Sequence, residues 1–353
     1  MTIVMTTAMV SAMPVPGWRS QVVAHAGARR VCVQVALALA CALLAQAGAS
    51  AAAASAFPTR PMRIIVPFAP GGPTDVAARV IGPKMSDAWG QPVVIDNRVG
   101  AGGNIGMALA AKAPPDGHTV LFTSSSVVVN QTLFSKPGYD VFKDLVAVTR
   151  ANTTPNILVV HPSVHAKNLA ELIALVRANP GKYSYASPGT GTTGHLSCEM
   201  LRAAAKIDIQ HVPFNGAAPA VTSIVGNQTP IGCLGLPPAQ PQLKSGALRP
   251  IAVTSAQRWK QNPDVPTMVE SGFPGLVNDL MTGVFVPAGT PAAIVNRLHV
   301  EIARIVMLPD VQDRLGPLGF EPVANTPAQF ARQVREEVEM YGKVIREANI
   351  KSD

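Results

Sequence analysis

Charged and aromatic side chains are scarce in this chain of 353 residues, at 14% and 5% of the total. Lysine and arginine are dispersed rather than clustered, which argues against a nucleic-acid partner, because such surfaces concentrate positive charge and aromatic rings. No H-E-x-x-H or G-x-S-x-G motif occurs, so two common enzyme signatures are missing. We therefore expect no catalytic residue, no metal and no cofactor.

Cysteine is also scarce, with four in the whole chain. Cys32 and Cys41 lie in the N-terminal segment, which leaves Cys198 and Cys233 for the folded protein. An exported protein can form a disulfide, but the sequence does not decide between a disulfide and two buried thiols. Cys198 follows His195 by one helical turn, and we interpret it as an inert buried side chain rather than a nucleophile.

The first 56 residues have the pattern of a cleaved, Sec-type signal peptide. Arg19, Arg29 and Arg30 precede an apolar run over residues 31–45, and a small-residue tract follows, ending at residue 56. An uncleaved anchor helix is the alternative, but the apolar run is shorter than the roughly 20 residues that a span needs. We expect export to the periplasm, with Phe57 as the first mature residue.

Strand and helix patterns alternate through the remaining residues, which predicts an α/β fold. The length suits two lobes, each with a mostly parallel sheet. We place one crossing between lobes in the polar loop 151–156 and the return crossing at strand 283–286. Lobe 1 is then residues 57–152 plus 285–353, lobe 2 is residues 153–284, and the two crossings form a hinge. We expect a monomer.

Two stretches predict an anion-binding device. Residues 62–80 read as a buried strand, a Pro/Gly loop and a helix with Thr74 as its N-cap. Residues 183–203 repeat the order of strand, glycine loop and helix. Each helix N-terminus presents unpaired backbone N–H groups and a positive dipole end, which receive carboxylates. Two such loops that face each other would hold a small carboxylate without a cationic side chain.

Other polar residues complete the predicted ligand site. Ser124, Ser125 and Asn130 follow a strand at 119–123, at the edge where open α/β sheets bind ligands. Thr192 could donate a neutral hydrogen bond, and His195 could donate as well. The full set of candidates is Phe68, Ala69, Gly71, Gly72, Thr74, Asp75, Ser124, Ser125, Asn130, Pro188, Gly189, Thr190, Gly191, Thr192, His195 and Asn215.

Two alternatives compete with simple binding. Residues 189–194 match the dinucleotide fingerprint G-x-G-x-x-G, but the next strand, 207–212, lacks the acidic residue at its end that would bind a ribose. A secreted enzyme that uses His195 on a carboxylate is the second alternative.

The mature chain resembles one family from end to end. The matching motifs, in order, are Pro58-Thr59-Arg60-Pro61, Ile64-Ile65-Val66-Pro67-Phe68-Ala69-Pro70-Gly71-Gly72, Gly100-Ala101-Gly102-Gly103-Asn104-Ile105-Gly106, Asp116-Gly117, Ser187-Pro188-Gly189, Gly191-Thr192 with His195, Ala252-Val253-Thr254-Ser255, Asp264-Val265-Pro266-Thr267, Glu270-Ser271-Gly272 and Pro287-Ala288-Gly289-Thr290-Pro291. They resemble the substrate-binding receptors of tripartite tricarboxylate transporters, also called the Bug family.

This resemblance implies a periplasmic receptor of the Venus-flytrap type that delivers a small carboxylate to the permease subunits of a membrane transporter. A receptor that docks on a signalling partner is an alternative. The chain departs from the family pattern in three places. Phe214-Asn215-Gly216 stands where many relatives have Tyr-Lys-Gly. The stretch around Leu234-Gly235-Leu236 lacks a polar or acidic residue that is common in relatives, and Met281-Thr282-Gly283 lacks a tryptophan that is often found there. A site with fewer charges and rings favours a ligand less charged than citrate.

Overall fold

The computed structural model describes residues 57–352, so the predicted signal peptide, residues 1–56, lies outside the described residues. Within the described range, none of the helices combines the length and the apolar character needed to span a membrane.

Eleven strands and ten α-helices make up the described chain. The strands are β1 (Met62–Val66), β2 (Val93–Asn97), β3 (Thr119–Thr123), β4 (Leu145–Thr154), β5 (Asn156–Val160), β6 (Ser184–Ser187), β7 (Gln210–Pro213), β8 (Ile231–Gly235), β9 (Arg249–Val253), β10 (Leu280–Pro287) and β11 (Glu321–Pro322). The helices are α1 (Pro73–Trp89), α2 (Asn104–Ala111), α3 (Ser126–Leu133), α4 (Leu169–Arg177), α5 (Thr193–Ala205), α6 (Ala217–Val225), α7 (Leu236–Lys244), α8 (Ala292–Val306), α9 (Pro309–Leu315) and α10 (Pro327–Glu347).

The strands form two sheets, one in each lobe. Lobe 1 contains a six-stranded sheet in the order β11-β4-β10-β3-β1-β2, and lobe 2 contains a five-stranded sheet in the order β7-β6-β8-β5-β9. The chain therefore starts in lobe 1, builds lobe 2 and returns. The last helix, α10, packs its apolar face on lobe 1 through Phe330, Val334, Tyr341 and Ile345, as its periodicity predicts.

Both sheets are mixed rather than mostly parallel as the sequence predicts, and their parallel pairs lie away from the hinge. β1 pairs in parallel with β2 and β3, and β6 pairs in parallel with β7 and β8. The strands next to the crossings are antiparallel to their neighbours: β10 runs against β3 and β4, and β5 runs against β8 and β9. A strand that arrives from the other lobe enters its new sheet at the hinge side. It therefore runs in the direction opposite to that of its neighbours in that sheet.

The first crossing is shorter than the sequence indicates. β4 ends at Thr154 and β5 begins at Asn156, so the predicted polar loop 151–156 is wrong. These polar residues remain extended because their backbone pairs with β10 on one side and β11 on the other. The sheets change between Thr154 and Asn156, and again between Val253 and Leu280. The lobe limits at 152/153 and 284/285 stay a prediction.

A buried hydrogen-bond network links the two crossings. Asn156 donates through Nδ2 to the carbonyl oxygen of Asn278 at 2.6 Å, and its Oδ1 accepts from Thr193 Oγ1 at 3.0 Å. Asn278 Oδ1 accepts from the hydroxyl of Tyr341 on α10 at 2.9 Å. The network therefore joins the start of α5 in lobe 2 to both crossings and to the C-terminal helix of lobe 1.

Cys198 on α5 and Cys233 on β8 form a disulfide, which resolves the alternative that the sequence leaves open. Both side chains are buried in the core of lobe 2. The bond ties the helix that begins at the second glycine loop to the central strand of its sheet. It also removes Cys198 as a nucleophile beside His195.

We predict that reduction of this disulfide destabilises the protein. The bond closes a loop of 35 residues, and its loss should lower the free energy of unfolding by about 3–4 kcal/mol, because the unfolded chain regains the entropy of that loop. Calorimetry with and without reductant measures the change. A Cys198→Ala/Cys233→Ala variant is the control and should not respond to reductant; two free thiols in the untreated, denatured protein would contradict the assignment.

Candidate functional site

Each of the two predicted loops contacts the opposite lobe across the cleft. The backbone N–H of Ala69 donates to the carbonyl oxygen of Asn215 at 3.0 Å. A Cβ atom on Gly102 would overlap the carbonyl oxygen of Thr190, and a Cβ atom on Gly191 would overlap Asn130 Oδ1. Lobe 1 and lobe 2 are therefore in direct backbone contact, and the structure describes the closed form of the cleft.

A small cavity of about 20 Å³ lies between the loops. Its lining residues carry no formal charge and are Phe68, Gly72, Pro73, Thr74, Ser124, Pro188, Thr192, Thr193, Gly194, Ala217, Gly235 and Leu280. The volume is close to that of one water molecule. A dicarboxylic acid can therefore enter only when the loops separate.

Four helices begin at the lining of this cavity. Gly72 caps α1, Thr192 caps α5, Gly216 caps α6 next to the lining residue Ala217, and Gly235 caps α7. The first N–H groups of a helix have no acceptor within that helix, and they carry the positive end of its dipole. The glycine caps of α1 and α6 have no side chain that could accept these N–H groups, whereas Thr192 accepts one of them at α5. α7 presents no free N–H group, because the Leu236 N–H donates to the carbonyl oxygen of Pro155 at 3.0 Å and the next two residues are prolines. The cavity is thus positive in potential without a cationic side chain.

The first loop is held from behind by Asp75. This carboxylate is 1% exposed and accepts from the backbone N–H of Gly71 (2.9 Å), from Arg79 Nε (2.8 Å) and from Asn97 Nδ2 (2.9 Å). Asn97 also donates to the carbonyl oxygen of Phe68 at 2.9 Å. The bond to Asp75 raises the pKa of the Arg79 guanidinium. These contacts favour a positioning role for Asp75, whereas a direct ligand contact stays a prediction.

The start of α1 differs from the predicted one. Gly72, not Thr74, is the N-cap, and Pro73 occupies the first helical position. Proline suits that position because its fixed φ matches the helix and its missing N–H has no partner there anyway. The side chain of Thr74 is thereby left to line the cavity.

The second loop is organised by Thr192 and His195. Thr192 Oγ1 accepts from the His195 backbone N–H at 3.3 Å and donates to the carbonyl oxygen of Gly189 at 2.7 Å. His195 is 2% exposed, its Nδ1 accepts from the Gly191 N–H at 3.3 Å, and its ring lies 4.3 Å from that of His211. His195 is a buried part of the loop scaffold and does not line the cavity.

Of the polar residues after β3, one lines the cavity and the others hold neighbouring segments in place. Ser124 lines the cavity, whereas Ser125 accepts from the Met281 N–H at 3.2 Å and so fixes the return crossing. Asn130 Nδ2 donates to Asn104 Oδ1 at 2.8 Å and to the carbonyl oxygen of Gly102 at 3.2 Å. Asn130 Oδ1 is buried and has no partner among residues 57–352.

Six of the sixteen candidates line the cavity directly: Phe68, Gly72, Thr74, Ser124, Pro188 and Thr192. The other candidates, Ala69, Gly71, Asp75, Ser125, Asn130, Gly189, Thr190, Gly191, His195 and Asn215, lie in or behind the loops that close over it. Pro73, Thr193 and Gly194 lie within the two predicted loops but were not among the individual candidates, and sequence reasoning missed Ala217, Gly235 and Leu280. The strand-loop-helix pattern could have identified Ala217 and Gly235, because each follows a strand and begins a helix.

Known proteins resemble this chain over nearly all of its described length. A family model described as tripartite tricarboxylate transporter family receptor (TctC) matches residues 77–350. The structure of periplasmic binding protein BugD has a TM-score of 0.81 and 31% identity and covers 84% of this chain and 100% of its own. Rpa4515 of R. palustris, solved with adipate, has a TM-score of 0.81 and 34% identity and covers 84% and 99%. MatC (Rpa3494) of Rhodopseudomonas palustris, solved with bound malate, has a TM-score of 0.79 and 34% identity and covers 82% and 100%.

We predict that Gly102→Ala prevents full closure of the cleft. Its Cβ atom would occupy the position of the Thr190 carbonyl oxygen, so the loops cannot approach and carboxylate affinity should fall at least tenfold, about 1.4 kcal/mol. Titration calorimetry gives the affinity, and small-angle scattering with saturating ligand gives the compactness.

Gly90→Ala is the matched control. Gly90 has φ 64° and Gly102 has φ 61°, but a Cβ atom on Gly90 meets nothing within 4 Å. Both variants therefore carry a similar backbone strain, roughly 1–2 kcal/mol, and only Gly102→Ala adds the clash across the cleft. Equal affinities for the two variants would contradict the closed geometry.

Proposed function

The chain belongs to the tripartite tricarboxylate transporter receptor family (TctC/Bug), and from this premise we propose that it captures a small organic carboxylate between its lobes and delivers it to the permease subunits of a membrane transporter. Proteins of this family are solute-binding receptors and not enzymes. The observation that carries the proposal is the convergence of three helix N-termini that present backbone N–H groups, those of α1, α5 and α6, on one uncharged cavity.

Carboxylate recognition follows from the groups that line the cavity. Backbone N–H groups at helix N-termini bind anions, and the dipoles add to one another at the point where the helices converge. An isolated ammonium would meet the positive ends of these dipoles and no carboxylate among the lining residues. An anionic headgroup is therefore the ligand chemistry that the cavity favours.

The rest of the ligand is recognised by shape. Phe68, Pro73, Pro188 and Leu280 give the cavity an apolar lining, while Thr74, Ser124 and Thr192 offer neutral hydrogen bonds. No cationic side chain lines it to neutralise a second or third carboxylate at close range. We infer a small acid with one carboxylate at the helix N-termini, and in a dicarboxylic acid the neutral hydrogen bonds of Thr74, Ser124 and Thr192 would bind the second carboxylate. The relatives solved with adipate and malate support acids of this size.

We propose that binding and closure are one process. The ligand would enter while the loops are apart, and the bond from Ala69 to Asn215 would then form as the lobes close. Because this contact uses only main-chain atoms, the Asn215 side chain is left available for the ligand or for solvent. The sixteen candidate residues are proposed here as the binding site, with Asp75 and His195 acting by positioning the loops.

We predict that adipate and malate, tested first because relatives were solved with them, stabilise the protein. A ligand at about 100 times its dissociation constant should raise the free energy of unfolding by about 2.7 kcal/mol, and a thermal melting curve resolves this change. Adipamide is the matched control, because it keeps the carbon chain and loses both charges. Equal stabilisation by adipamide, or none by any acid in a panel that includes monocarboxylates, would contradict carboxylate recognition.

We also predict that the protein is exported and processed. Expressed with its full sequence in a Gram-negative host, it should appear in the periplasmic fraction with Phe57 as its first residue, because the small-residue tract before Phe57 is typical of a signal-peptidase site. Intact mass spectrometry of that fraction gives the cleavage position. A full-length chain that remains in the membrane fraction would support the anchor alternative instead.

A further inference from the structure

A second and much larger cavity, of about 820 Å³, lies behind the hinge; we call it the hinge crevice. It is lined by the end of β4 and the first crossing (Asn152, Thr153, Thr154, Pro155), by residues 255–261 of lobe 2, by Asp279, and by residues of lobe 1 between 306 and 322. Asp279 and Leu280 are neighbours in the chain, but Leu280 lines the cleft cavity and Asp279 lines the crevice. The return crossing therefore separates two different cavities.

Buried polar atoms without partners concentrate at the wall of the crevice. Both side-chain amide atoms of Asn152 are unpaired among residues 57–352, and this residue is 1% exposed. Three further buried atoms of lining residues also have no hydrogen-bond partner among residues 57–352: Thr154 Oγ1, Trp259 Nε1 and Asp279 Oδ1. Folded proteins pair the large majority of such groups, so four lining residues with unpaired atoms in one cavity require an explanation.

Asp279 gives the crevice a negative group with no ion pair in the described chain. Arg150, whose charge acts on Asp279, donates to Glu337 at 2.8 Å. Two cations that line the crevice also have carboxylate partners: Arg258 pairs with Glu270 outside the crevice, and Lys260 pairs with Glu321. Burial raises the pKa of Asp279 to about 6, and the charge of Arg150 acts in the opposite direction.

The unpaired atoms define a pattern of donors and acceptors. Asp279 Oδ1, Asn152 Oδ1 and Thr154 Oγ1 can accept hydrogen bonds, and Asn152 Nδ2 and Trp259 Nε1 can only donate. A bare metal ion would use the acceptors alone, and no group of three metal-ligating side chains occurs among the described residues. A ligand with an ammonium group and a neighbouring oxygen acceptor satisfies both sets.

We propose that the hinge crevice is a second ligand site for a small ammonium compound with an adjacent oxygen acceptor. The ammonium group would donate to Asp279 and to the acceptors beside it, and the oxygen atom would accept from Asn152 and Trp259. Free amino alcohols and free amino acids share this chemistry. The site is distinct from the carboxylate cleft and does not depend on the proposed transport function.

Ethanolamine is the first probe, and the indole N–H resonance of Trp259 is the readout. In a titration followed by heteronuclear NMR, this resonance should shift and saturate, while that of Trp89 stays in place; Trp259→Phe identifies the signal. Ethylene glycol lacks the ammonium group and ethylamine lacks the oxygen acceptor, so both should bind more weakly. Glycine tests whether an amino acid binds as ethanolamine does.

Asp279→Asn keeps the shape of the side chain and removes its negative charge, and it should weaken ethanolamine binding at least tenfold. Asp208→Asn removes an exposed carboxylate of lobe 2 and should have no effect. Thr154→Val is a second variant; it keeps the shape of the buried side chain, removes its hydroxyl group and should also weaken ethanolamine binding. Unchanged affinity in both crevice variants, or absence of any Trp259 shift at high millimolar probe, would overturn the proposal.

Adipate and malate binding is measured on the same samples. Because these acids bind at the cleft, the crevice variants should retain their response to them, and ethanolamine should shift Trp259 with or without the acid. Displacement of ethanolamine by the acid through direct competition at one site would also overturn the proposal. Failure of the acids to bind, with the ethanolamine response intact, would count against the proposed transport function alone.

Discussion

The structure depends on backbone N–H groups at the N-termini of three helices, α1, α5 and α6, that converge on one cavity. This arrangement supplies positive potential from the main chain, so no lysine or arginine has to line the cleft. It also requires the backbones to approach very closely. Glycine at positions 102 and 191 permits that approach, because any side chain there would overlap an atom of the opposite lobe.

Recognition by the main chain would separate the binding of the carboxylate from the selection of the rest of the ligand. In the proposed site, backbone groups that a mutation of side chains does not remove would bind the carboxylate, whereas Phe68, Leu280 and the neighbouring side chains set the shape of the remaining space. The departure from the family pattern at Phe214-Asn215-Gly216 illustrates this separation. Asn215 contributes its carbonyl oxygen to the contact between lobes, so the loss of a lysine at that motif changes the charge of the site and leaves this contact in place.

The hinge is the second element on which the fold depends. Asn156 and Asn278 join both crossings to the start of α5, and Tyr341 extends the same network to the C-terminal helix. The cleft cavity and the hinge crevice lie on either side of the return crossing, at Leu280 and Asp279. A displacement of that crossing would act on both cavities, because Asp279 and Leu280 are adjacent in the chain.

Local pattern was sufficient for much of the fold. Strand β3 was predicted at the bounds found, and the apolar periodicity of α10 correctly indicated its packing on lobe 1. The prediction failed at residues 151–156, because polar residues that read as a loop are held extended by strands that are distant in sequence. β10 was predicted too short for the same reason.

The sequence by itself determined the two strand-loop-helix devices, because the glycines, the prolines and the apolar runs act within a few residues of one another. It also determined the family, through motifs spread along the mature chain. Only the tertiary structure decided that Cys198 reaches Cys233, that α6 and α7 also point at the cavity, and that Asp75 and His195 are engaged within their own loops. These outcomes depend on distances between residues far apart in sequence, which local pattern does not encode.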